Sequence, residues 1–465
     1  MWLGTFRRAR SVAAAGAVVT LALTTVPGHA AAPAPPAVHD GFGLHVTKVQ
    51  QIDARQVSID VQTAALGRTT NIRVALPADY AQHPKKRYPV LYLVAGTFQH
   101  AADWMTGGDA EQLTAGLPLI VVSPDVGFAG AGWFANWQDQ GTTLGPNQWE
   151  TYYIDQLIPW VDASFRTRAN RDGRAIAGLS QGGFGSTFYP TRHPDMFVSF
   201  ASFSGAVDIA QGDPGGPLGK DFVTDTLVAS GVEPFAIFGD PITDPISWAG
   251  HDPTTLLPNT TGMDVWLYTG DGLPGPLDKT PVDPAGASIE VLAHTMTHAM
   301  YDHAQELGLA NVNLVDYGAG THTWPYWQRD LTQYLTHIMD DFARQPPAPS
   351  PTAYTSIEKS WHQWGWSVSF ARTAGDEWSN LTGAGPLGFS LTGNGTATVI
   401  TPAFYKPNAA LKVTQHSSSG VRTVVLHAGK RGHLTLTLAL TGSGDGGSGD
   451  AQVNVVTVPV KKAHH

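Results

Sequence analysis

Cysteine is absent from the whole of this 465-residue chain. That excludes disulfides, thiolate metal sites, a cysteine nucleophile and a lipidated N-terminal cysteine, so stability outside a cell has to come from the size of the core. Charge is scarce as well: Asp, Glu, Lys and Arg together make up 14% of the residues, against roughly 25% in an average soluble protein. Gly, Thr, Ser, Asn and Gln carry the remaining polarity, a surface suited to an exported protein. The formal charge of −10 leaves no basic footprint for a polyanion, which argues against nucleic acid as a partner. Beyond the first thirty residues there is no apolar run long enough to be read as a membrane span.

Those first thirty residues read as an export signal. Arg7, Arg8 and Arg10 precede an apolar stretch from Ser11 to Val26, and Gly28-His29-Ala30 gives a small-x-Ala cleavage site. The apolar stretch is shorter than the roughly 20 residues a span needs. The expectation is a mature chain starting near Ala31 and secreted, possible association with the cell envelope included, by a Sec or twin-arginine route. A flexible leader over 31–40 and a Pro-rich linker over 344–352, "RQPPAPSPT", bracket a first globular part at 41–343. A second part follows at 353–465.

The first part alternates strand-like and helix-like segments. "QVSIDVQ" and "TNIRVAL" alternate apolar with polar residues, as half-exposed strands do. "YPVLYLVAG", "LPLIVVSPD", "RAIAGLS" and "DVWLYTGDG" are continuous apolar runs, as parallel strands covered on both faces require. Between them, "NQWETYYIDQLIPWVDASF" sets Trp149, Tyr153, Leu157, Trp160 and Val161 at helical spacing. The expected class is α/β with a mainly parallel central sheet, whose carboxyl strand ends line the active site. The second part differs. "WGWSVSF" sends Trp364, Trp366, Val368 and Phe370 to one face and "HLTLTLAL" sends Leu434, Leu436, Leu438 and Leu440 to one face, the alternation of an all-β sandwich. "GSGDGGSGD" at 442–450 reads as a flexible turn, and its Asp445 and Asp450 do not match a calcium loop.

"GLSQG", Gly178 to Gly182, is a G-x-S-x-G sequence between the strand-like "RAIA" and a segment able to start a helix. In that context the serine sits on a sharp turn and the glycines avoid clashes with strand and helix. A serine hydroxyl needs a positioned base, and the base needs a carboxylate to fix its tautomer. On this fold the chain order is Ser, acid, His. His322, in the Gly-rich loop "GAGTHTWPYW", fits the base best. His294, His298 and His303 lie on a helical segment, and no third ligand with a recognisable spacing joins His294 and His298, so neither metal nor other cofactor is expected. For the acid, Asp271 after "DVWLYTG" and Glu290 both remain open, with Asp271 mildly favoured on the residues alone. The N–H groups of Gln181 and Thr97 are the expected oxyanion donors.

Together with "WETYYIDQLIPWVD", "HDPTTLLPNT", "VWLYTGDG" and above all "GTHTWPYW", the serine motif resembles the antigen 85 mycolyltransferases and their esterase D relatives over about residues 45–340. The resemblance implies an α/β-hydrolase fold and a catalytic set of Ser180, Glu290 and His322, since the family's acid falls on Glu290 and not on Asp271. It implies transfer of a long, mycolate-like acyl group through an acyl-enzyme to an alcohol or sugar, or to water in a plain carboxylesterase. Where trehalose-using members carry an aspartate and an arginine, this chain has Ala95-Gly96-Thr97-Phe98, so two sugar contacts are missing. Phe98, Trp137 and Trp324 are the candidate substrate-binding side chains, with core packing an equal reading for the two tryptophans. The alternative from another class is an inactive wall-binding protein whose C-terminal part holds glycan or lipid through Trp361, Trp364 and Trp366.

Overall fold

The structure is a computed structural model that describes residues 36–127, 132–211, 215–372, 375–417, 420–441 and 451–459. The segment read as an export signal, the start of the leader and the 442–450 turn lie outside these residues. Continuous apolar runs become the middle of one nine-stranded sheet. Its strands are β1 (Leu44–Gln51), β2 (Gln56–Thr63), β3 (Arg68–Ala75), β4 (Val90–Val94), β5 (Ile120–Pro124), β6 (Arg174–Leu179), β7 (Ser199–Phe203), β8 (Asp264–Thr269) and β9 (Val312–Asp316), in the order β1-β2-β3-β5-β4-β6-β7-β8-β9. The first three are antiparallel, as their alternating sequences suggested, and β3 meets β5 antiparallel. From β5 onward every pairing is parallel. β4, β5, β6 and β7 are buried along their whole length, so helices cover both faces, as a parallel sheet requires. This is the α/β-hydrolase fold.

The connections supply short helices α1 (Asp103–Thr106) and α2 (Ala110–Leu113), then α3 (Ile158–Ser164), α4 (Gln181–Arg192), α5 (Gly215–Ala229), α6 (Pro245–Gly250), α7 (Pro284–Glu306) and α8 (Trp324–Arg344). The segment expected to be one amphipathic helix is helical with a wider turn: Thr151–Leu157 is π-helical and runs into α3. Pro159 lacks an N–H for the α ladder there. Trp149, Tyr153, Leu157, Trp160 and Val161 all face the core.

The C-terminal residues form a second, wholly antiparallel β structure from β10 (Thr352–Ser356), β11 (Ser360–Gln363), β12 (Trp366–Ala371), β13 (Ser379–Gly385), β14 (Gly388–Ile400), β15 (Ala410–Ser417), β16 (Gly420–His427), β17 (Thr435–Thr441) and β18 (Ala451–Pro459). β14 belongs to two sheets: Gly388–Gly393 pairs with β13 and β18, and Asn394–Ile400 pairs with β12 and β17. One strand turning between sheets closes the sandwich corner. Val368, Phe370 and the four leucines of β17 and its approach point into its core. Trp364 departs from the expectation. It sits with Gly365 at the tip of the β11–β12 hairpin, both at positive φ (54° and 77°), the geometry of a tight two-residue turn. Its N–H donates to Asp195 of the α/β part at 2.8 Å. Trp361 and Trp366 are buried in the sandwich core, so the three tryptophans do not form an exposed glycan face.

The sandwich docks on the carboxyl end of α4. Arg192, nearly buried, holds Glu150 through two nitrogens at 2.8 and 3.1 Å and Glu358 of the sandwich at 2.7 Å. Burial alone would raise the Glu150 pKa, but Arg192 and His193 hold it well below the usual carboxylate range. Tyr354 and Gln363 donate to the Arg192 carbonyl, and Asn259 exchanges two hydrogen bonds with Thr355. Removing one member of such a group leaves an uncompensated buried charge. Arg192→Met is therefore expected to cost about 3–5 kcal/mol of stability, read as a lowered urea midpoint. The double variant Arg192→Met/Glu150→Gln should recover part of that loss.

Candidate active site

The site begins with backbone geometry. β6 ends at Leu179, α4 begins at Gln181, and Ser180 between them has φ 54° and ψ −124°, a conformation costing of order 1–3 kcal/mol for a non-glycine residue. The flanking glycines make the corner possible. A Cβ at Gly178 would come within 2.1 Å of the Gly182 carbonyl oxygen, and one at Gly182 within 2.3 Å of that of Val94. Ser180 is thereby thrust from the carboxyl edge of the sheet at the start of α4.

His322 arrives from the loop between β9 and α8. Its N–H donates to Gly286 O in the first turn of α7 at 3.2 Å, so the loop is pinned to that helix. One turn later α7 presents Glu290, fully buried. Glu290 Oε2 and His322 Nδ1 are 2.8 Å apart. The other carboxylate oxygen accepts from the Ser204 hydroxyl and the Gly270 N–H, both at 2.8 Å, with Thr269 Oγ1 at 3.3 Å. No lysine or arginine faces this carboxylate at ion-pair distance among the described residues; the imidazole and oriented donors hold it instead. Trp327 packs edge-on against the imidazole with ring centres 4.9 Å apart. His322 Nε2 is buried and makes no hydrogen bond.

Ser180 and His322 line one narrow apolar slot, walled by Ile289, Leu292, Ala293 and Met296 of α7 and by Phe222 of α5. Its free volume is about 10 Å³, about one water. On its outer side His322 borders a second, polar cleft of about 540 Å³, lined among others by Asp278, Lys279, Asp283, Trp324 and Gln328. Gly96 packs against Ser180, since a Cβ there would lie 3.0 Å from the serine Cβ. That brings the Gly96-Thr97 loop beside the Ser180 turn, and Gln99 fixes it by accepting from the Gly96 N–H at 2.8 Å. Gln181 is the first residue of α4, so its N–H points out of the helix start along the favourable end of the dipole.

The remaining candidates divide. Trp324 lines the polar cleft and packs edge-on against Trp104 and Trp327. Phe98 is 66% exposed at φ 61°, on the surface beside Thr97 and lining neither cavity. Trp137 is buried in the main core and donates to Gly132 O at 3.1 Å, the core-packing reading of the two offered for it. Asp271 accepts from the Leu273 N–H in its own turn and is not hydrogen-bonded to His322. Sequence reasoning missed Ser204 and Gln99. Ser204 carried a readable signal, a small residue straight after an apolar strand at the sheet's carboxyl edge; Gln99 carried none. Asp316 lies beside His294 and His298, with one nitrogen of each imidazole and one carboxylate oxygen within 4.8 Å of one another.

A family model described as putative esterase matches residues 63–338. An esterase of Mycobacterium tuberculosis is 42% identical over 172 residues, 37% of this chain and 36% of that protein; the chain thus spans little more than a third of that relative. Diacylglycerol acyltransferase/mycolyltransferase Ag85A of Mycobacterium leprae is 27% identical over 296 residues, 57% of this chain and 85% of that protein. Among solved structures, MPT51 of Mycobacterium tuberculosis aligns over 64% of this chain and 99% of its own at 22% identity, with a TM-score of 0.48.

Proposed function

The chain belongs to the esterase family, and we propose that within it this protein is a serine-dependent acyl-transfer enzyme acting on carboxylic esters through an acyl-enzyme. The observation that carries the reading is the 2.8 Å pair of Glu290 and His322, with the far nitrogen of the imidazole buried, unpaired and lining the same slot as Ser180. Ser180 attacks the ester carbonyl, and its proton passes to His322 Nε2. Glu290 holds Nδ1 protonated and stabilises the imidazolium. The N–H groups of Gln181 and Thr97 receive the charge on the tetrahedral oxygen. His322 then protonates the departing alcohol, and the acyl group leaves Ser180 when water or a second alcohol attacks with His322 as base.

The two cavities beside His322 support a division of the substrate. The apolar slot suits the acyl part and the polar cleft the alcohol. The cleft's Asp278, Lys279, Asp283 and Gln328 offer an alcohol or sugar polar partners other than the aspartate and arginine missing near Thr97. This favours acyl transfer as well as hydrolysis, and the export-signal-like first thirty residues support secretion as the setting. Incubation with an acyl ester, with and without trehalose or glycerol, followed by mass analysis of the products tests it. An acylated polyol supports transfer; free acid alone leaves a plain esterase.

A slot the size of one water admits a long chain only when α5 draws away from α7. Short acyl p-nitrophenyl esters are therefore expected to outpace palmitoyl ones. Leu292→Ala opens the slot and should raise kcat/KM for longer chains relative to butyryl, by about fourfold for each methylene newly accommodated, the equivalent of roughly 0.8 kcal/mol.

A further inference from the structure

We propose that His294, His298 and Asp316 form a binding site for a divalent transition-metal ion of the zinc type, apart from the ester site and independent of its reading. His294 and His298 stand one turn apart on α7, so both side chains leave the same face of the helix. Their rings lie 4.3 Å apart. Asp316, the last residue of β9, comes from a different element and meets His298 Nε2 at 3.0 Å. One nitrogen from each imidazole and one carboxylate oxygen all lie within 4.8 Å of one another, a spread that small side-chain rotations bring to the donor separations of a tetrahedral ion.

The hydrogen bonding of the cluster is itself incomplete. His294 Nδ1 is buried without a partner, a costly state for a polar atom. Two imidazoles and a carboxylate converge there, and one of the imidazole nitrogens has nothing to bond. A divalent cation answers that lack. It would take the place of the proton between His298 and Asp316, leaving two nitrogens, one oxygen and a water as its ligands. The other side of Asp316 is already fixed, because its second oxygen accepts from the Gly318 N–H at 2.8 Å. Such an ion would tie α7, one turn beyond Glu290, to the end of β9, from which the chain runs on to His322.

The test uses untagged, chelator-stripped protein titrated with Zn²⁺ against a chromophoric competitor, and with Co²⁺ followed in the visible. The expected results are one Zn²⁺ per chain, a higher unfolding temperature with saturating Zn²⁺, and the intense Co²⁺ bands of a four-coordinate ion. Asp316→Asn should weaken binding by about tenfold or more, and His294→Ala/His298→Ala should remove the bands and the thermal shift together. His45→Ala, in the exposed His45–Asp40 pair, should change neither. Circular dichroism of the stripped variants reports folding, and if the double variant fails to fold, His298→Gln at its partly exposed position carries the same reading. An equivalent of Zn²⁺ that survives the double substitution, or a wild-type protein that binds none below millimolar free zinc, overturns the proposal.

Discussion

Replacing Ser180 by alanine is expected to lower kcat on a p-nitrophenyl ester by about 10⁶-fold while leaving the fold intact. The size of the effect follows from the lack of a substitute. Ser204 lines the same slot, but its hydroxyl donates to Glu290 and serves the acid. The alanine variant should also be more stable than one with a larger side chain, because the corner at φ 54° tolerates little beyond Cβ. A fluorophosphonate probe gives the companion measurement, with stoichiometric labelling of the parent protein and none of Ser180→Ala. If well-folded parent protein takes up no label, the wall-binding alternative gains and the enzymatic reading is lost.

The second large effect concerns the acid. Glu290→Gln is expected to lower kcat by about 10⁴-fold, and Asp271→Asn to leave it near the parent value. Donors converge on Glu290 from His322, Ser204 and Gly270, so an amide must turn its NH₂ toward a group that is itself a donor. The imidazole then loses the partner that fixes its tautomer, or the carboxylate cradle loses one of its bonds. KM should move little, since Glu290 itself lines neither cavity. The reverse pattern, with Asp271→Asn inactive and Glu290→Gln active, would show that the acid was carried over from the resemblance to the wrong residue.

Much of the sheet was legible because its strands are local patterns. A run such as "YPVLYLVAG" has no polar face to give to water, so it must lie in the middle of the sheet, and the alternating "QVSIDVQ" has one to spare. Ser180 was legible for a related reason: its neighbours at 178 and 182 have to be glycine for the corner to close. Trp364 shows the limit. Its alternation with Trp366 looked like one continuous strand, yet Gly365 takes its positive φ freely and Trp364 takes one beside it, and a hairpin tip with a docking partner at Asp195 prevails over the pattern. Trp137 was ambiguous in sequence because an aromatic in a loop reads the same whether a core or a ligand covers it.

By itself the sequence determined the class of fold, the corner that bears Ser180 and the Gly-rich loop that bears His322, since each depends on the steric and polar demands of a few neighbouring residues. The tertiary structure alone decided that Ser204 and Gly270 hold the Glu290 carboxylate, that Arg192 joins the sandwich to α4, and that Asp316 lies beside the histidine pair on α7, and it set against the imidazole the Glu290 that the resemblance had implied. The reason is physical. Each of those contacts joins side chains from elements far apart along the chain, and their meeting is fixed by how helices and loops pack across the sheet, which no local pattern encodes.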